Sequence, residues 1–202
     1  MLRVVARIGN SSCYASGMPA PVRVKGSALV ARVRWVREKH PDAYQQFLRA
    51  LSPETARLAG DFMLLDWYPF PMFIELCTVL DRLFGAGDLA LCWELGRYAA
   101  DVNLKTMYRL LFKLGSVQFI LRRAAMAWKM SYDAGELVLR SEDAKSAQLE
   151  IVDFPTPHRA HCLSVKGWMS RALEMSGARD SVIKERCKLL GDPRCEFAAK
   201  WR

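Results

Sequence analysis

Apolar residues recur at helical spacing through most of the first two thirds of the chain. After Ser27, a plausible N-cap, Leu29, Val30, Val33, Trp35 and Val36 describe one helix, with Arg32, Arg34, Arg37, Glu38 and Lys39 read onto its wet sides. His40-Pro41 ends it. Pro41 then fits the first turn of a short helix carrying Tyr44, Phe47, Leu48 and Leu51, and Ser52-Pro53-Glu54 starts a third. Asp66-Trp67-Tyr68-Pro69-Phe70-Pro71 reads as a rigid aromatic corner, because two prolines fix φ and bias their predecessors toward extended backbone. A long helix should follow through Phe73, Ile74, Cys77, Leu80, Leu83 and Phe84 to Gly85-Ala86-Gly87. Asp88 caps the next, through Leu91, Leu95, Tyr98 and Ala99. Leu104 to Leu114 and Val117 to Tyr132 are two further helices divided at Gly115-Ser116.

At Asp133-Ala134-Gly135 the period changes from 3.6 to 2. Leu137 to Leu139 and Ala147 to Val152 read as two strands joined by the polar stretch from Ser141 to Ser146. His158 to Ser176 returns to helical spacing, ended by Gly177. A last hairpin pairs Ser181 to Cys187 with Arg194 to Trp201 around Gly191-Asp192-Pro193. A turn centred on Gly191 sets Cys187 opposite Cys195. Alternation then puts Ile183, Glu185, Cys187, Cys195 and Phe197 on an inward face, and Lys184, Arg186, Lys188, Arg194 and Glu196 on a solvent face. The expected fold class is α+β, an N-terminal helical layer packed on a C-terminal four-stranded antiparallel sheet built as hairpin, helix, hairpin. Residues 1–22 read as a flexible lead-in, and 23–202 as a single ligand-binding-type domain with a helical part (23–132) and a sheet part (133–202).

With 51% apolar residues in 202, the core needs no disulfide or metal for stability. Six cysteines at irregular spacing (13, 77, 92, 162, 187, 195) and no apolar signal sequence indicate a reducing cytoplasm. No apolar run approaches the roughly 18 residues of a membrane span. The net charge of +9 is spread among helices beside acidic residues rather than gathered in a basic tract. It therefore suggests a solvated basic surface or an acidic partner, and does not suggest nucleic-acid binding.

The segment from Cys162 through Gly167, and from Cys187 through Gly191-Asp192 to Cys195, resembles the 4-vinyl-reductase domain pattern: a helix with a cysteine and a glycine five later, then two cysteines eight apart around Gly-Asp. The wider superfamily includes ligand-sensing domains of phenol- and xylene-responsive activators, haem nitric-oxide-binding domains and vesicle-tethering TRAPP subunits. Upstream, Val24-Lys25-Gly26-Ser27, Trp67-Tyr68-Pro69, Leu95-Gly96-Arg97 and the Phe119 to Trp128 helix resemble a bacterial paralogous family of unknown function.

In the phenol-sensing relatives, three cysteines and a glutamate hold zinc. The resemblance implies zinc at Cys162, Cys187 and Cys195, but Lys184 stands where the glutamate would be. Glu185 or His161 would have to supply the fourth ligand. The leading reading of the same cysteines is as small buried residues between helix and sheet, and a reversible Cys187–Cys195 disulfide is a further alternative. Haem-binding relatives hold iron through a helical histidine and carry a Tyr-x-Ser-x-Arg signature. Neither is found whole around His40, His158, His161 or Ser131-Tyr132-Asp133, so haem is not expected. The acidic residues are scattered and no phosphate loop or nucleophile elbow is present, so no catalytic residue is assigned and the reading is non-enzymatic.

Trp67, Tyr68, Trp93, Tyr98, Met107, Tyr108, Phe112, Phe119, Trp128 and Trp168 are candidates for the wall of a pocket for a small apolar or aromatic ligand, since relatives hold such ligands between these helices and the sheet. The expected function is a sensor or adaptor domain that binds such a ligand and signals through a protein partner, as a homodimer. The alternatives are a scaffold whose interior is merely packed, and a tetrapyrrole-related enzyme or haem-based sensor.

Overall fold

The computed structural model describes residues 21–105 and 116–202. The lead-in therefore lies outside the described residues except for its end, where Val22 is buried and its carbonyl accepts a hydrogen bond from Phe70 N. Strand β1 (Arg23–Lys25) pairs antiparallel with β2 (Trp67–Pro69). The aromatic corner is thus a strand as well as a turn: Pro69, which has no N–H to donate, stands at its last position.

Helix α1 (Gly26–Lys39) begins one residue before the expected cap, and Ser27 is buried in its first turn. Gly26 is required there, because a Cβ would lie 1.9 Å from the Met63 carbonyl oxygen. The short helices α2 (Tyr44–Ala50) and α3 (Pro53–Leu58) follow, the latter capped by Ser52. Helix α4 (Phe70–Phe84) ends at Gly85. Asp88 accepts from Ala90 N in a local turn, while the buried Asp81 of α4 accepts from Leu89 N and Leu91 N and ties that turn to the preceding helix.

Helix α5 (Leu91–Lys105) runs through Leu104 without a break there. The rest of the expected Leu104 to Leu114 helix lies outside the described residues. The expected Val117 to Tyr132 helix is two pieces, α6 (Val117–Leu121) and α7 (Ala124–Ser131). Strands β3 (Glu136–Glu142) and β4 (Ser146–Val152) form the first hairpin. Helix α8 (Arg159–Met175) crosses to the second, β5 (Val182–Arg186) and β6 (Cys195–Lys200). The sheet order is β3-β4-β6-β5, antiparallel throughout. The α+β expectation therefore agrees with the structure.

The β5–β6 ladder ends with Arg186 opposite Glu196, one residue short of Cys187 and Cys195 and in the register of the centred turn. The solvent face differs at one position. Glu196 is buried and accepts a hydrogen bond from Gln148 Nε2 at 3.1 Å, because β6 is an inner strand flanked by β4 and β5.

Two glycines set the position of α8. A Cβ on Gly96 of α5 would lie 2.0 Å from Ser164 O, and one on Gly167 of α8 would lie 1.9 Å from Trp93 O. The two backbones therefore cross in direct contact. The glycine five residues after Cys162, part of the sequence signature, is explained by that crossing. One core fills the space among α1, α2, α4 and α5, and a second lies between α6, α7, α8 and the sheet. Among the described residues no helix is long and apolar enough to cross a membrane.

Candidate ligand-binding site

A cavity of about 100 Å³ lies where the helical and sheet cores meet. Space for several water molecules is unusual in an interior packed as densely as an organic crystal. Most of its wall is apolar: Ile120 and Leu121 of α6, Trp128 of α7, Leu137 and Leu149 of the sheet, and Val165, Trp168, Met169 and Leu173 of α8. The polar wall is made by Ser27 and Arg32 of α1, Asn103 of α5, Ser131 of α7 and Ser164 of α8, with Phe73 beside them.

Arg32 is the exception to the sequence reading. Its charge predicts the wet side of α1, but it is only 2% exposed. Helical geometry gives the reason: position 32 falls with 29, 33 and 36 at i, i+3, i+4 and i+7, inside the apolar stripe. Its Nη1 donates to Ala28 O at 3.0 Å and its Nη2 to Ser164 Oγ, while its guanidinium carbon lies 4.6 Å from the Phe73 ring centroid. Its Nε has no partner. Asn103, 6% exposed, leaves Oδ1 unpartnered on the same cavity. Asn103 could have been found from the Ala99-Ala100-Asn103-Leu104 stripe of α5. Ser164 carried no sequence signal beyond its place on α8.

Of the sequence-nominated pocket residues, Trp128 and Trp168 line this cavity. Trp67 instead stacks under Lys25, whose Nζ is 4.1 Å from its ring, and Tyr68 Oη accepts from Met63 N. Trp93 lies under Arg97 and Phe119 under Arg123, and Tyr98 Oη donates to Glu38. Those five are held at other contacts, away from the cavity wall. Met107, Tyr108 and Phe112 lie outside the described residues.

The three cysteines do come together. Cys162, Cys187 and Cys195 are buried with sulfurs all within 4.8 Å of one another, and the Cys187 and Cys162 sulfurs are 3.8 Å apart. Burial foremost, then the neighbouring sulfurs, pushes the Cys162 thiol above its ordinary range, and burial likewise raises Cys195. Neither candidate for a fourth ligand joins them. The Glu185 carboxylate is taken by Arg159 at 2.5 Å, with Lys166 at 3.9 Å.

His161 points into rings instead. Its ring centroid lies 4.8 Å from Phe154 in a stack, 4.9 Å from Tyr132 and 5.2 Å from Phe70, both edge-on. Burial, then the charges of Arg32 and His158, lowers its pKa to about 3, so the imidazole is neutral, and its Nε2 is unpartnered. It opens onto a second cavity of about 100 Å³, shared with Cys162 and Cys195.

This arrangement of helices on an antiparallel sheet is similar to that of solved H-NOX proteins. An Fe(II) unliganded H-NOX protein from K. algicida is 14% identical, with a TM-score of 0.65 over 88% of this chain and 96% of that one. An S. oneidensis H-NOX protein in the Fe(II)NO state is 12% identical, with a TM-score of 0.68 over 88% and 99%. An oxygen-binding H-NOX domain related to soluble guanylate cyclases is 11% identical, with a TM-score of 0.65 over 88% and 95%. No protein-family model and no curated protein matches the chain.

These likenesses correct the cofactor expectation. The missing Tyr-x-Ser-x-Arg signature argues against haem, yet H-NOX proteins similar to this chain in fold are described in Fe(II) states. The one buried histidine, His161, is chemically fitted to iron: it is neutral and Nε2 is free of a partner. Zinc finds no support among these proteins, and neither candidate fourth ligand joins the three sulfurs, Glu185 being held by Arg159 and His161 lying among rings.

Proposed function

We propose that the protein is a non-enzymatic sensor or adaptor domain that binds a small, mostly apolar ligand between its helices and sheet. The cavity walled by α1, α5, α6, α7, α8, β3 and β4 carries this reading. A ligand there touches both layers at once, so occupancy changes how firmly they pack. That change reaches a protein partner or a second copy of the chain through the helical surface. The cysteine and glycine pattern of α8 and the β5–β6 hairpin supports a place beside 4-vinyl-reductase-like domains.

Haem as the ligand is the second reading, favoured by the unpartnered His161 Nε2. A macrocycle is larger than either cavity as it stands, so this reading also requires the helices and sheet to part. Native mass spectrometry and a visible spectrum of freshly purified protein separate the cases. Extra organic mass without a Soret band supports the first reading, and a Soret band lost in His161→Ala supports the second. A bare chain that gains no mass from small aromatic or aliphatic probes contradicts both.

A further inference from the structure

The wall of the cavity between helices and sheet contains a buried cation with no carboxylate beside it. Arg32 is 2% exposed, and every Asp and Glu of the sequence lies among the described residues. None of the ion pairs of the described residues involves Arg32. A guanidinium keeps its charge at any physiological pH, so it cannot escape burial by losing a proton. Its present contacts are a backbone carbonyl, a serine hydroxyl, the face of Phe73 and the Cys77 thiol, with no carboxylate among them, and its Nε–H is left without an acceptor. A buried charge without a counter-ion is costly, and its persistence marks a place where a partner is supplied from outside.

Resting on the ligand-binding reading above, we propose that the ligand is a small apolar acid whose carboxylate is held by Arg32 inside the cavity. The apolar body lies against Trp128, Leu149, Val165 and Met169, and the carboxylate takes the open Nε–H of Arg32. Asn103 Oδ1, the other unpartnered polar atom on this cavity, accepts from a water bridging to the same carboxylate. Arg32 therefore selects acids over neutral molecules of the same shape, because a neutral ligand would enclose the charge and leave it uncompensated. Among the described residues, the group that competes with such a ligand for Arg32 is a thiol. The Cys77 thiol is raised by burial, but its hydrogen bond with Cys92 and the charge of Arg32 outweigh this and draw it below the ordinary thiol range.

The test is a calorimetric titration at neutral pH with carboxylates from benzoate to decanoate, each paired with its primary amide. Wild type, Arg32→Met and Arg32→Lys are compared. The tightest carboxylate should bind wild type at least about tenfold better than its amide. Arg32→Met should lose that preference while still binding the amide, and Arg32→Lys should keep part of it. Ligand-free Arg32→Met should also melt higher than wild type, whereas a residue serving only to tie α1 to α8 would lower the melting temperature when replaced. Equal affinity for acid and amide in wild type overturns the proposal, as it would if Cys77 already neutralised Arg32, but leaves the ligand-binding reading standing. Binding of no member of the panel overturns both. The wild-type comparison decides even if a variant fails to fold.

Discussion

Two buried polar groups share helix α8, and they are built on opposite principles. Cys162 looks toward the second hairpin and meets Cys187 and Cys195, three small thiols that bury easily and need no charge balanced. Two residues on, Ser164 looks toward α1 and α5 and accepts from Arg32, a full charge that lines the cavity and whose Nε has no partner. The thiol group is complete within the chain; the guanidinium group is not. A polar cluster that satisfies itself is explained by packing, while one that leaves a charge and two hydrogen-bonding atoms open points to a ligand.

The largest effect should come from the crossing that separates the two groups. Gly167→Val would force Cβ against Trp93 O, 1.9 Å from its ideal position, and should cost about 3 kcal/mol or more in urea unfolding. A loss below about 1 kcal/mol would mean α5 and α8 are not held in contact. Next in size is the acid response of His161. Its folded pKa is about 3, against an ordinary value of 6.5, so below 6.5 the unfolded chain takes up a proton that the folded one refuses. Stability should therefore fall by a few kcal/mol as pH drops from about 6.5 toward about 3. His161→Phe should flatten this arm; an unchanged acid slope in that variant would show that His161 is not buried neutral.

Arg32→Met sharpens the comparison in the opposite direction. Removing an uncompensated buried charge should raise ligand-free stability by about 1–3 kcal/mol, read from the shift of the denaturation midpoint. The smallest effect is expected on the closed side. Cys187→Ala should cost about 1 kcal/mol and leave the acid-over-amide preference at the cavity unchanged. A lost preference there would show that the two groups are coupled.

The layers and the hairpin, helix, hairpin sequence were legible because apolar spacing switches from 3.6 to 2 at Asp133, and the Gly191 turn set the hairpin register; the order of the four strands in the sheet was not. The β1–β2 pair was not, because each strand is three residues long and is recognisable only through its partner. Nor was the break between α6 and α7, which no proline or glycine marks. The site was half legible. Trp128 and Trp168 stood out as aromatic, whereas the charge of Arg32 pointed to solvent although its helical phase placed it inside. The cavity itself has no sequence signature, since its wall is assembled from residues of α1, α5, α6, α7, α8 and the sheet that are far apart in the chain.

The most direct test of a ligand held between the layers is methyl NMR of protein labelled at methionine. Met169 lines the cavity, whereas Met72 is buried in the helical core and Met63 is exposed. Addition of the tightest carboxylate of the series should shift the Met169 methyl resonance, assigned with Met169→Leu, and leave Met72 and Met63 in place. A shift confined to Met63, or a saturating ligand that leaves Met169 unmoved, would contradict the account.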